Sequence, residues 1–341
     1  MDFLLVIRGL AAISVVVWHA VGFQNEFYPV FNTPGRTAVW LFFGMSGYVI
    51  AYGFVHKRYR FTFGDLKDFY INRFLRIYPL FLTLSILAWV TELVATGNNL
   101  LSIKDLPAQL MAFQFNQSYI LNGVFWTLGI EIHFYLLAPL LVIPILKSAD
   151  KRHSSVILLS IYFVLLFWIF FAVKYLGWSY DGRNVISNLP HFFIGMAACQ
   201  FVSTLKPNKL RLIVSVTCAS VLLGYANWLY NRNSGYYWAG EGVLIVDAII
   251  FLLVLTHASF ERGQFKSNPV YLIFAYLGTL SYGVYAWHAY LMKYIPHITD
   301  NVLVLISVSV FVAYLSYRFI ESPALKLKRE RNHSPIEPVI K

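Results

Sequence analysis

The sequence predicts an all-α integral membrane protein: a bundle of about ten transmembrane helices with both termini in the cytoplasm. Three observations lead there. Of its 341 residues, 58% are hydrophobic and 13% are charged, whereas a soluble domain carries about a quarter charged residues. Apolar stretches long enough to span a bilayer, or nearly so, recur along the whole chain. The cations are divided unevenly between alternate connections, as the positive-inside rule requires of a multi-span protein.

The apolar runs fall at 4–23, 38–54, 78–95, 130–146, 156–176, 189–205, 210–230, 243–260, 271–290 and 302–320. The first lacks a small-residue cleavage site and carries Arg8 and His19, so it reads as a retained span rather than a signal peptide. The fourth is the weakest, interrupted by Pro139 and Pro144. Prolines are tolerated in a span when neighbouring helices cover the freed carbonyls. The longest outer connection, 96–125, is rich in amides, among them Asn98, Asn99, Gln114, Asn116, Gln117 and Asn122. That composition suits a neutral polar partner such as a sugar, and equally a plain solvated loop. Residues 1–323 read as one transmembrane domain. Residues 324–341 form a basic, Pro-containing cytoplasmic tail, expected to be disordered and close to anionic headgroups. No period marks a repeat array.

With the N-terminus inside and strict alternation, 21 of the 27 Lys and Arg residues fall on the cytoplasmic side. Only Arg36, Lys104, Lys174, Arg183, Arg232 and Lys293 fall outside. The net charge of +11 is therefore a topology signal, with no nucleic acid implied. Cys199 and Cys218 lie inside apolar runs and suggest neither a disulfide framework nor a zinc site; no metal is expected.

Topology turns sequence position into depth. Eleven residues separate Arg8 from His19, about 1,100° of helix and roughly 16 Å of rise, so both share one face at different depths. Arg8, Arg73, Arg76 and Arg318 fall near the cytoplasmic boundary. His19, Glu131, His191, Asp247 and His288 fall in the outer parts of their spans. Ionisable groups at such depth are expensive and read as functional by default. The inner arginines suit a polyanionic cytosolic ligand, because guanidinium forks bind phosphate bidentately. Snorkelling to lipid phosphate is the competing reading for Arg73 and Arg76. In the outer layer, neutral His19 is the best candidate base, and a carboxylate would orient it. Glu131 either acts directly or braces the fold, and His288 leans towards structure. His133, two residues from Glu131, points to another helix face. Asp247 and His191 stay open. No nucleotide-binding glycine loop, GxSxG elbow or HExxH motif is present.

The motifs resemble, in order and almost end to end, those of the membrane acyltransferase family 3. That family includes bacterial O-antigen, exopolysaccharide and nodulation-factor O-acetyltransferases. The carriers are RGLAAISVVVWH (8–19), FFGMSGYVI (42–50), NRFLRIYPL (72–80), NGVFWTLGIEIHFYLLAPLL (122–141), SYGVYAWH (281–288) and IESP (320–323). Thr127 stands where serine is usual, and His133 where glutamine is common. The chain stops soon after the tenth span, so no extra extracytoplasmic SGNH-type domain is expected.

The resemblance implies transfer of an acyl group, most simply acetyl, from cytosolic acetyl-CoA to a hydroxyl of a cell-surface or lipid-linked carbohydrate. The implied setting is the bacterial inner membrane, with membrane lipid and the carbohydrate acceptor as partners. His19 and Glu131 would be catalytic. Arg8, Arg73 and Arg76 would hold CoA. Trp126, Tyr282 and His288 would contact the acceptor. The same ten spans with buried polar groups would also fit a transporter or flippase of a glycan or lipid-linked intermediate. Composition leaves the oligomeric state and the acceptor open.

Overall fold

In a computed structural model, residues 3–21, 35–55, 59, 61–96, 106–111, 122–143, 151–177, 182–203, 205–232, 237, 240–260, 268–295 and 297–329 are described. All regular structure among them is helical. We number the helices α1 (Phe3–Val21), α2 (Gly35–Val55), α3 (Phe63–Thr96), α4 (Leu106–Met111), α5 (Trp126–Leu141) and α6 (Lys151–Tyr175). They continue as α7 (Val185–Val202), α8 (Lys209–Arg232), α9 (Glu241–Ser259), α10 (Pro269–Tyr294) and α11 (Val302–Ser316), and, after a π-helical turn (Tyr317–Glu321), α12 (Ser322–Lys326). Among the described residues nine helices are long and apolar enough to cross a membrane, and α5 is a shorter apolar tenth. Each apolar run of the sequence meets one of these ten. The amide-rich stretches 97–105 and 112–121 and the tail from 330 onward lie outside the described residues.

Helix directions follow from side-chain pairs. Ile77 and Thr91 of α3 bond Tyr282 and Tyr290 of α10, so these two helices run the same way. Trp40 of α2 meets Asn188 and His191 of α7, and Phe43 meets Phe192, again parallel. Arg211 and Ser215 of α8 meet Ser259 and Thr256 of α9, which is antiparallel. Odd spans pair in parallel with odd, even with even, and odd with even in opposition, as ten alternating crossings require.

Two contacts set the core. On α1 and α10, a Cβ at Gly9 would stand 2.8 Å from the Phe274 carbonyl oxygen, and one at Gly278 would collide with the Leu5 carbonyl. On α2 and α7, a Cβ at Gly47 would run into the Phe192 carbonyl, and one at Gly195 into that of Gly44. Small residues permit such backbone approach where helices associate in lipid. Helix α7 is the most enclosed, while α6, α8 and α11 turn most of their apolar surface outward. Phe163, Val164 and Phe167 of α6 are each more than half exposed, which in lipid is the favourable state.

Three local features differ from the sequence reading. Helix α3 begins at Phe63, well before its apolar run, and its 34 residues carry Asn72, Arg73 and Arg76 into the bundle on a continuous helix. The tenth span continues through the π turn, so IESP lies inside a helical segment rather than after one. Segment 122–125 enters the protein before α5 starts: Asn122, Val124 and Phe125 are buried, and the Asn122 side chain donates to the Ala286 carbonyl at 3.0 Å. Non-helical backbone at membrane depth is tolerated when protein encloses it.

Candidate functional site

Two cavities lie along α1 and α10. The one on the side expected to face the cytoplasm, called the inner cavity to distinguish it from the outer one, is lined by Arg8, Ser46, Asn72, Arg73, Arg76, Glu131, Tyr135, Ser281, Tyr282 and Lys328, with apolar residues between them. The outer one is lined by Trp18, His19, Arg36, Trp126, Arg183, His288 and Lys293, among others. Val39 and Tyr285 line both, so they form the shared wall. The Tyr285 hydroxyl donates to the Val124 carbonyl at 3.0 Å and accepts from Thr127 Oγ1 at 3.1 Å. The threonine that replaces the usual serine thus keeps a working hydroxyl.

In the inner cavity the Arg8 guanidinium lies over the Phe42 ring at 5.7 Å, and that of Arg73 over Tyr135 at 5.1 Å. The Nε groups of Arg8 and Arg73 are buried without a hydrogen-bond partner among the described residues. Buried guanidinium donors left unmade are costly, and an anion entering the cavity would satisfy them. The set suits a ligand that carries phosphate or another multiply charged anion. Asn72 closes the mouth: its amide donates to the Arg329 carbonyl at 2.9 Å and accepts from the Arg329 N–H at 2.8 Å, which brings Lys328 to the rim.

Glu131 belongs to this inner cavity. It accepts from Ser46 Oγ at 2.8 Å and from the Tyr135 hydroxyl. Alternation alone puts it level with His19. The buried entry of 122–125 carries α5 deeper, and Glu131 with it, towards the arginines. Tyr282 also lines the inner cavity, its hydroxyl donating to the Ile77 carbonyl at 2.9 Å, whereas Trp126 and His288 line the outer one.

Among the described residues the side chain that His19 meets through Nδ1 is His288 rather than a carboxylate. His19 Nδ1 lies 3.0 Å from the Val15 carbonyl oxygen and 3.1 Å from His288 Nε2. A lone pair at Nδ1 would oppose the Val15 carbonyl, so the proton sits there and is shared with both acceptors. His288 Nδ1 in turn faces the Val284 carbonyl at 3.3 Å and carries its own proton, leaving Nε2 to accept from His19. The tautomers are thereby assigned, and His19 Nε2 keeps its lone pair on a side chain that lines the outer cavity.

The remaining candidates stand apart. His191 Nδ1 bonds Asp247 Oδ1 at 2.6 Å, Tyr162 donates to Asp247 Oδ2 at 3.0 Å, and Trp40 stacks on His191 at 4.6 Å. This buried cluster ties α2, α6, α7 and α9 together and lines neither cavity. His133 bonds the Gly129 carbonyl at 2.6 Å within its own helix. Ser46, Tyr135, Tyr285 and Glu321 were not singled out from the sequence, though each lies inside a quoted motif. Both Glu321 oxygens are buried without a hydrogen-bond partner among the described residues, within electrostatic reach of Arg76 and Arg8.

Fold and site together define a multi-span helical membrane protein whose core holds an arginine cavity and a histidine cavity back to back. Residues 1–319 match the acyltransferase domain family, and the chain belongs to it. Over 358 residues it is 24% identical to a Staphylococcus aureus (strain COL) protein provisionally named an O-acetyltransferase, covering 94% of this chain and 56% of that protein. It is 21% identical to the peptidoglycan O-acetyltransferase OatA of Listeria monocytogenes over 353 residues, covering 94% of this chain and 55% of that protein. The corresponding figure for the O-acetyltransferase OatA of Staphylococcus aureus (strain NCTC 8325) is 23%, with 94% and 56% covered. The chain spans about half the length of these curated relatives. No solved structure matches it.

Proposed function

We propose that this chain is a membrane-embedded O-acyltransferase of the bacterial inner membrane. It moves an acyl group, most simply acetyl, from cytosolic acyl-CoA to a carbohydrate hydroxyl on the other face. The observation that carries this reading is the pair of cavities sharing the wall of Val39 and Tyr285. One offers buried cations for a polyphosphate donor, the other a neutral histidine for a hydroxyl acceptor. The names of the relatives support acetyl as the group moved, and the one named for peptidoglycan supports a carbohydrate as the acceptor.

In the proposed reaction Arg8, Arg73 and Arg76 hold the CoA phosphates. His19 Nε2 takes the proton of the acceptor hydroxyl as its oxygen attacks the thioester carbonyl. The new C–O bond forms and the C–S bond breaks. The thiolate leaves and recovers the proton from the imidazolium. His288, accepting from His19 Nδ1, stabilises the charge that develops on that ring. Glu131 acts from the inner cavity, holding Ser46 and Tyr135 beside the arginines and the route of the acyl group.

The test is transfer from radiolabelled acetyl-CoA in inverted membrane vesicles containing the native acceptor. Wild type labels glycan, and His19→Ala at matched expression labels less by about a thousandfold, the scale of losing a positioned base. Arg8→Gln raises the KM for acetyl-CoA by about tenfold or more, as loss of a charged hydrogen-bond partner does. Label with both wild type and His19→Ala at similar rates would dismiss the base. No label with either, across several acyl donors, would favour a transporter.

A further inference from the structure

We infer that the wall between the cavities is the acyl gauge of the protein: Val39, set against Tyr285, admits only a short, uncharged acyl group. The inference rests on the proposed acyl transfer and names the donors which that same site accepts. The donor phosphates belong with the arginines on one side of the wall, and His19 stands on the other. Along α1, Arg8 and His19 are separated by roughly 16 Å of rise. An extended pantetheine arm spans about 15 Å at ordinary bond lengths. With phosphate held at Arg8, the thioester therefore reaches the wall and the neighbourhood of His19, and goes no further. Its acyl chain then presses on the side chains that line both cavities.

The two sides of this gauge are unlike. Tyr285 is the fixed side. Its hydroxyl is tied to the Val124 carbonyl and to Thr127, and Val124 lines the outer cavity while Thr127 lines the inner one. Its ring packs 6.5 Å from Phe42 and 5.7 Å from His288. The phenol is thus pinned on the line that divides the cavities. Val39 is the other side, a buried branched side chain with no polar atom. On α1 the face between Arg8 and His19 carries Ala11 and Val15, both buried. The crossing is therefore narrow and apolar, and such constrictions exclude water. A carboxylate on the acyl chain, as in a succinyl group, would be stripped of water there without a partner. Each added methylene would have to displace close-packed side chains.

The experiment measures kcat/KM in inverted vesicles with native acceptor, using acetyl-, propionyl-, butyryl- and succinyl-CoA labelled in the acyl group. Wild type loses about tenfold for each methylene added to acetyl and does not use succinyl-CoA. Val39→Ala raises the ratio of butyryl to acetyl transfer by about tenfold. Val39→Ile, one methylene larger, lowers the ratio of propionyl to acetyl transfer by a similar factor. These ratios do not depend on how much of a variant folds, and opposite shifts from a smaller and a larger side chain at one position are not produced by general damage. Phe163→Ala, on the outward face of α6, leaves both ratios unchanged. Ratios unmoved in both Val39 variants, or succinyl transfer by wild type at the acetyl rate, overturn the inference while acyl transfer stands. Absence of transfer from every donor with wild type removes the acyltransfer reading and the inference with it.

Discussion

At the scale of single residues, the His19–His288 pair is the feature with the sharpest consequences. His288 is fully buried and accepts from the nitrogen of His19 that is not free to take a proton. His288→Leu should therefore lower kcat by about tenfold to a hundredfold with the KM for acetyl-CoA unchanged. His288→Gln, whose amide oxygen can accept at a similar place, should lose less. Measuring both constants for the two variants decides it: equal losses would mean that His288 only fills space. The sequence made half of this pair legible. A cation and a histidine eleven residues apart on one helix marked α1 as functional, but His288 lies 269 residues away from His19, and nothing local says which of several deep polar groups is its neighbour. Glu131 was misjudged in depth for a related reason. Alternation assumes that every span starts at the membrane face, and Asn122 to Phe125 read as apolar whether they cross as helix or enter as a buried turn.

At the scale of elements, the glycine contacts hold α1 and α10 in register. Gly9 and Gly278 meet at one level, and ten residues later on each helix His19 meets His288. Gly278→Ala places a methyl group against the Leu5 backbone, which cannot retreat as a flexible side chain could. The expected cost is about 2–3 kcal/mol of stability, seen as a lower Tm of the detergent-solubilised protein and reduced transfer. Gly224→Ala, at a helical glycine with open space around its Cβ position, should leave Tm unchanged or slightly raised, because alanine favours helix. Equal effects at the two positions would mean that the close approach does not matter. Hydropathy located these helices well, since each long run needs only its own composition. It gave no hint of which helices touch, because an apolar face bound for a neighbour and one bound for lipid look alike in sequence. The π turn before Ser322 was equally hidden, although its carboxylate, Glu321, stood in view within IESP.

At the scale of the whole molecule, the proposed use of a cytosolic donor sets the arginine cavity at the cytoplasmic face, and ten alternating helices would then carry both ends of the chain on that side. A cytoplasm-active reporter fused after Lys341 should be active, and a phosphatase that folds only outside should be inactive there. The same phosphatase placed in the turn at Gly182 should be active. The opposite pattern would invert the molecule and remove the arginines from the CoA pool. The pairing of the first helix with the ninth span has a further consequence for biosynthesis. Arg8 and His19 enter the membrane long before the ribosome has made the helix that completes their surroundings. Until Pro269–Tyr294 arrives, α1 waits in lipid with its glycine face uncovered and its charged and polar groups unsupported. A nascent chain halted before Pro269 therefore holds neither cavity, and the site becomes complete only once that helix has been made and has packed against α1.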